Sequence, residues 1–254
     1  MRPMTRRVLW FATAYTIVII VHESAHAITA YGLGLEATLF NFWVNIDSAN
    51  QATIGQRAAY GVAGPISSLV IGVVSSLAYR RIQRSAAAMP LLYLAAHGVS
   101  NFFGNLMSIA FIGDFSNVAV SMGMPVGVRY ALSAAGALVT VSVLFAAGRE
   151  LVRWMPPQAS RAAAALAGVL LPTAIGTMLI ILVNQPIPLQ GFATARIGEG
   201  AFWISAVAGA FTAPIPIPST RDNGSVELHW QDIAIAVVMI AVVRIMVLGI
   251  PLIP

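Results

Sequence analysis

The chain has neither cysteine nor lysine, and only 9% of its 254 residues are charged. Without cysteine there are no disulfides and no thiolate metal sites, so any metal must be held by His, Asp or Glu. A soluble domain of this size carries roughly a quarter charged residues. At 58% apolar residues and a mean hydropathy of +0.83, this chain cannot cover itself with a water-compatible surface. A soluble enzyme is excluded. A nucleic-acid partner is excluded too, despite a pI near 10.2, because the positive charge is all arginine and lies beside apolar segments, where it sets membrane orientation. The composition is that of an integral protein of the lipid bilayer.

Apolar runs near the ~20 residues needed to cross a bilayer recur at 8–31, 58–79, 88–112, 130–148, 162–184, 199–218 and 232–253. The sixth is the weakest, broken by APIPIPS at 213–219. The expectation is therefore an all-α polytopic membrane protein of about six to seven transmembrane helices. It forms a single membrane domain over 1–254, because no extramembrane stretch is long enough for a second. Residues 37–57, ATLFNFWVNIDSANQATIGQR, differ in mixing aromatic and β-branched residues around the turn-forming run Asp47-Ser48-Ala49-Asn50. That pattern predicts a short β-hairpin after the first helix, lining a cavity or lying at the interface.

Arg2, Arg6, Arg7, Arg80, Arg81, Arg84, Arg149, Arg153, Arg161 and Arg221 fall on one side of this arrangement, against Arg57, Arg129 and Arg196 on the other. The positive-inside rule then predicts a cytoplasmic N-terminus. The first and third spans both run outward, which brings their C-terminal halves to similar depth.

Inside the first span stands His22-Glu23-Ser24-Ala25-His26, an H-E-x-x-H pattern. On a helix, residues four apart share a face, so both imidazoles reach one ion. Glu23, off that axis, suits a general base that takes the proton of an attacking water and later delivers it to the leaving amine. A signal peptide cut after the A-x-A-like Ala25-His26-Ala27 is a competing reading, as is a pair of structural buried histidines. The metal reading is preferred because ionisable groups within a span are costly and rare unless functional. A catalytic zinc needs a third protein ligand. By position the candidates are His97, Asp114, Glu150, Glu199 and His229. Glu150 and His229 belong with the arginine-rich side. His97 lies too near the start of its span, and Asp114 follows the third span on the correct side. Asp114 reaches the depth of the zinc if the chain unwinds around Gly104 or Gly113.

HESAH, then AGPISS at 63–68, then NLMSIAFIGD at 105–114 together resemble the site-2 protease family of intramembrane zinc metalloproteases. The likeness covers residues 8–120 as a metalloprotease core, with 130–254 as additional helices. It implies one zinc per chain held by His22, His26 and Asp114, Glu23 as catalytic base, and Asn105 binding the substrate backbone or oxyanion. It also implies membrane-embedded protein substrates and a bacterial cell membrane as the location. Ser108 stands where the family usually has proline, and Phe115 where it usually has glycine.

Alternatives from other classes are a membrane metal-binding or transport protein and a catalytically inactive relative that binds membrane partners. Gly64, Ser68, Gly72 and Ser76 form a small-residue strip that lets helices approach closely. His97, Asn101 and Asn105 form a polar stripe, either interhelical glue or a lining of the catalytic centre. Asn184 is expected to cap the fifth span. Arg244, mid-span in the last helix, is expected to snorkel or to pair with a carbonyl or acid.

Overall fold

The computed structural model describes residues 2–82, 88–155, 159–184, 200–213 and 228–254. A long helix α1 (Arg2–Gly32) leads into strands β1 (Ala37–Leu39) and β2 (Val44–Ile46). Helix α2 (Ile54–Arg81) then starts at a capping box in which Thr53 and Gln56 satisfy each other's backbone N–H groups. Helix α3 (Ala88–Met107) ends in a 3-10 turn, and after a 45° bend the short α4 (Asp114–Ser121) follows. Helices α5 (Val126–Val152) and α6 (Arg161–Val183) come next. A π-helical segment, Leu166–Leu170, lies in α6 where Pro172 cannot donate back to Gly168. The described chain ends with α7 (Gly200–Thr212), α8 (Trp230–Met246) and β3 (Ile250–Leu252).

Among the described residues four helices, α1, α2, α5 and α6, are long and apolar enough to cross a membrane, or five if the bent α3–α4 pair counts as one span. The sequence-based count of six to seven is not supported. Helix α7 is too short, although part of the run at 199–218 lies outside the described residues. The run at 232–253 is helical only to Met246, after which Gly249 (φ +80) turns the chain into β3. The outward face of α2 shows Ile66, Val70, Val73, Val74 and Leu77 to the surroundings, the reverse of a soluble helix and suited to lipid.

The hairpin forms, but not as expected. Its turn is Phe40–Trp43, with Phe40 N–H donating to the Trp43 carbonyl at 2.9 Å, and not Asp47–Asn50, whose last two residues instead begin a 3-10 turn, Ala49–Gln51. Asn41 decides this: it is fully buried, and its Nδ2 donates to Asn184 Oδ1 at 2.7 Å, so the turn is tied to the end of α6. A third strand, β3, adds antiparallel to β1, giving the order β2-β1-β3. This leaves β2 as an edge.

One end of the molecule gathers the arginines. Arg6 pairs with Asp232 at the start of α8 at 2.9 Å, and Arg7 donates to the Trp154 carbonyl at 2.8 Å. Tyr79 donates to Glu150 at 2.9 Å, and Glu150 also pairs with Arg153. The N-terminus of α1, the C-terminus of α2, the α5–α6 connection and the start of α8 therefore share one end. HESAH lies 20 residues further along α1, about 30 Å away at 1.5 Å per residue.

Candidate metal centre

The site begins with the helical spacing of His22 and His26, which sets their Nε2 atoms 3.1 Å apart. The third group arrives through the broken α3. After Met107 the helix tightens, and Gly113, at φ +105 and ψ −172, takes a conformation open essentially to glycine alone. The chain restarts as α4 with Asp114 in its first turn, where a carboxylate suits the helix dipole. The unwinding occurs at Gly113, whereas Gly104 remains within α3. Carbonyls stranded by the break find donors on α5: Arg129 Nη2 donates to Ala110 at 3.2 Å, and the Ser133 hydroxyl donates to Met107. Asp114 Oδ2 thereby stands 3.0 Å from His22 Nε2 and 3.4 Å from His26 Nε2.

The far sides of the rings decide what this triangle is. His26 Nδ1 lies 2.6 Å from the Tyr60 carbonyl. A carbonyl only accepts, so Nδ1 carries the proton and a neutral ring presents a bare lone pair at Nε2. Tyr60 precedes the turn of α2 that Pro65 loosens by withholding its N–H from Gly61. His22 Nδ1 lies 3.0 Å from Ser68 Oγ, whose own hydroxyl donates to the Gly64 carbonyl at 3.2 Å. His22 Nδ1 is then also the donor, and its Nε2 is bare as well. With both rings neutral, two lone pairs and a carboxylate converge, an arrangement that a cation satisfies.

The dimensions fit as well. The circle through three atoms separated by 3.0, 3.1 and 3.4 Å has a radius of about 1.8 Å. One point can therefore lie at the ~2.0–2.1 Å typical of zinc bonds to nitrogen and oxygen from all three. The group could hold a metal ion. Both rings are buried, while the Asp114 side chain is 29% exposed, which leaves one side of the site approachable. Gly64 closes the opposite side: a Cβ there would run into His26 Nε2 and both Cδ2 and Nε2 of His22. The small-residue strip therefore has two jobs. Gly64 and Ser68 seat the imidazoles, and Gly72 admits the backbone of α3 at Gly98 and Val99.

A cleft of about 800 Å³ opens beside the triangle. Glu23, His26 and Asp114 line it together with Val44, Asn45 and Ile46 of β2, so the edge strand faces the metal group across the same space. The remaining candidates lie elsewhere. Asn105 lines a neighbouring chamber, and its Nδ2 donates to the Asn101 carbonyl at 3.1 Å. His97 is buried in that chamber among Phe11, Tyr15 and Trp203 and has no place in the ligand group. Glu199 lies outside the described residues. Arg244 donates to the Val183 carbonyl at the end of α6 at 3.4 Å, the carbonyl contact expected of it. Asn184 donates back to Ile180 at 2.6 Å, as a cap of that end. His229 is the N-cap of α8.

Four supports of the site were not legible as such in the sequence: the Tyr60 carbonyl, the Ser68 hydroxyl, and Arg129 and Ser133 beneath the break. Pro65 and Gly113 were their only sequence signals. No family model, no curated protein and no solved structure matches the chain.

Proposed function

We propose that the protein is a zinc metalloendopeptidase that cuts peptide bonds in or beside membrane-embedded protein substrates, a divergent relative of the site-2 proteases. The observation that carries this reading is the convergence of three potential ligand atoms, His22 Nε2, His26 Nε2 and Asp114 Oδ2, within 3.4 Å of one another beside a glutamate. One zinc ion per chain on these residues would supply the Lewis acid and the acidified water that amide hydrolysis needs. Zinc is chosen over other divalent ions from the H-E-x-x-H spacing, since the ligand types alone suit several metals.

The chain's own groups do the rest. Tyr60 and Ser68 hold the two rings in the tautomer that points lone pairs inward. Glu23, on the cleft wall, takes the proton of the attacking water and returns it to the departing amine. A helical substrate must unwind first, because its carbonyls are already bonded within the helix. The free edge of β2 can receive the unwound stretch as an added strand. Asp47 N–H and Phe40 N–H bond within the hairpin, with Thr38 opposite Asn45 between them. By the alternation of an antiparallel ladder, Val44 and Ile46 therefore turn their N–H and C=O groups outward. Substrate binding by Asn105 would require its carboxamide to leave Asn101. The arginine-bearing end is assigned to the cytoplasm of a bacterial cell, which puts the metal centre in the outer half of the bilayer.

The test compares wild type and Glu23→Gln, each reconstituted with a panel of single-span membrane proteins, with new N-termini mapped by mass spectrometry. The reading predicts cuts within or next to apolar segments that vanish with Glu23→Gln and with a chelator. Identical termini from both proteins, or none from zinc-loaded wild type, would turn the site into a metal-binding centre without hydrolysis.

A further inference from the structure

A second chamber, of about 340 Å³, is large enough for a small organic ligand, since such sites run from ~300 Å³ upward. Phe11 and Tyr15 of α1, Trp203 of α7, Thr140 of α5 and His97 of α3 wall it. Among the described residues that line it none is charged.

Two of its polar atoms lack partners. His97 is 5% exposed, and its ring centroid lies 4.7 Å from Phe11, 5.1 Å from Trp203 and 5.5 Å from Tyr15. The imidazole bonds to the Phe11 backbone, while its Nε2 meets no partner. The bonded nitrogen faces a carbonyl and must carry the proton, which leaves Nε2 as an unused acceptor. Thr140, 3% exposed, likewise has a hydroxyl without a partner. Buried polar atoms are rarely left in that state. Beside them, a side chain added at Gly104 would meet nothing within 4 Å, so the void reaches the backbone of α3.

We propose that this chamber binds a neutral, mostly apolar small molecule whose single hydroxyl or N–H donates to His97 Nε2, with its body held between the aromatic walls. A metal is disfavoured because His97 is the chamber's only metal-ligating side chain among the described residues. An anion is disfavoured because the free ring nitrogen is an acceptor. The volume suits an aromatic or short-chain alcohol and not a two-chain lipid. This inference does not depend on the hydrolytic reading, since nothing in it requires the metal centre.

The test is titration of the full chain in detergent with 4-bromobenzyl alcohol, whose bromine quenches the fluorescence of Trp203 in the wall. The proposal predicts saturable quenching that disappears in Trp203→Phe. It predicts about tenfold weaker binding of the methyl ether, which has no donor, and about tenfold weaker binding of the alcohol to His97→Leu. Gly104→Met, which fills the void, should abolish saturation while zinc content stays that of wild type. Linear quenching that is the same in every variant is partition into detergent or a chamber holding only water, and overturns the proposal. So does equal affinity for alcohol and ether. If His97→Leu does not fold, the ether and Gly104→Met decide, since both keep His97.

Discussion

Ser68 is a small residue with a long reach: its hydroxyl, spent on the Gly64 carbonyl, makes its oxygen an acceptor for His22 Nδ1 and so fixes which nitrogen of His22 faces His26 and Asp114. Ser68→Ala removes that orientation, and a zinc competition titration should find affinity lower by roughly 10- to 100-fold with the fold intact. Unchanged affinity would mean that packing against Gly64 alone orients the ring. Glu23→Gln separates binding from chemistry. Zinc affinity should stay near wild type, while hydrolysis falls by about 10²–10⁴-fold. That His22 and His26 share one face was legible in the sequence, because helical spacing is a local property. Ser68 and Tyr60 were not legible as supports of His22 and His26. Their roles exist only once α2 packs against α1, and nothing within the α2 sequence states which neighbour it will meet.

At the scale of elements, the site depends on one break and one edge. The break is legible in part: Gly113 and Asp114 signalled that the third span could unwind, but the donors on α5 that make the break affordable lie 19 and 26 residues downstream of the carbonyls they serve. Gly113→Ala forces a side chain into a glycine-only conformation and toward Ser108 Oγ. It should cost about 1–3 kcal/mol of stability and, by moving Asp114, weaken zinc binding. Thermal unfolding and metal titration together check this, and an unchanged metal affinity would show that Asp114 is not held by this turn. The edge is β2. Ile46→Pro removes an outward N–H without touching a ladder bond, a change that edge strands tolerate. Cleavage should fall about tenfold, the loss of one backbone hydrogen bond to substrate, while zinc stays bound. Equal cleavage would remove strand addition from the account. The sequence misplaced this hairpin's turn because Asp47-Ser48-Ala49-Asn50 has the local chemistry of a turn, whereas Asn41 is held by Asn184, 143 residues away.

For the whole molecule, the arginine distribution foretold which helix ends lie together, and the contacts of Arg6 with Asp232, Arg7 with Trp154 and Tyr79 with Glu150 bear out that common end. The number of spans was less legible, because an apolar run does not reveal where it turns back. The last run leaves the helix at Met246 to complete a sheet with residues more than 200 positions earlier. Arg6 and Asp232, both nearly inaccessible, join the first and last helices, and Trp10 Nε1 also donates to Asp232 at 2.7 Å. Asp232→Ala takes the carboxylate away from a buried guanidinium and from the Trp10 indole N–H and should destabilise the protein by roughly 3–5 kcal/mol, read by thermal unfolding in detergent. The folded fraction should keep its metal, since this pair lies at the opposite end from HESAH. Every role proposed for these residues depends on the His22–His26–Asp114 group, so metal content is the decisive measurement. Wild type, His22→Ala and Asp114→Ala would be purified in parallel and assayed for bound zinc. The account predicts about one zinc per chain in folded wild type and its loss in both variants. Folded wild type that takes up no zinc would contradict it.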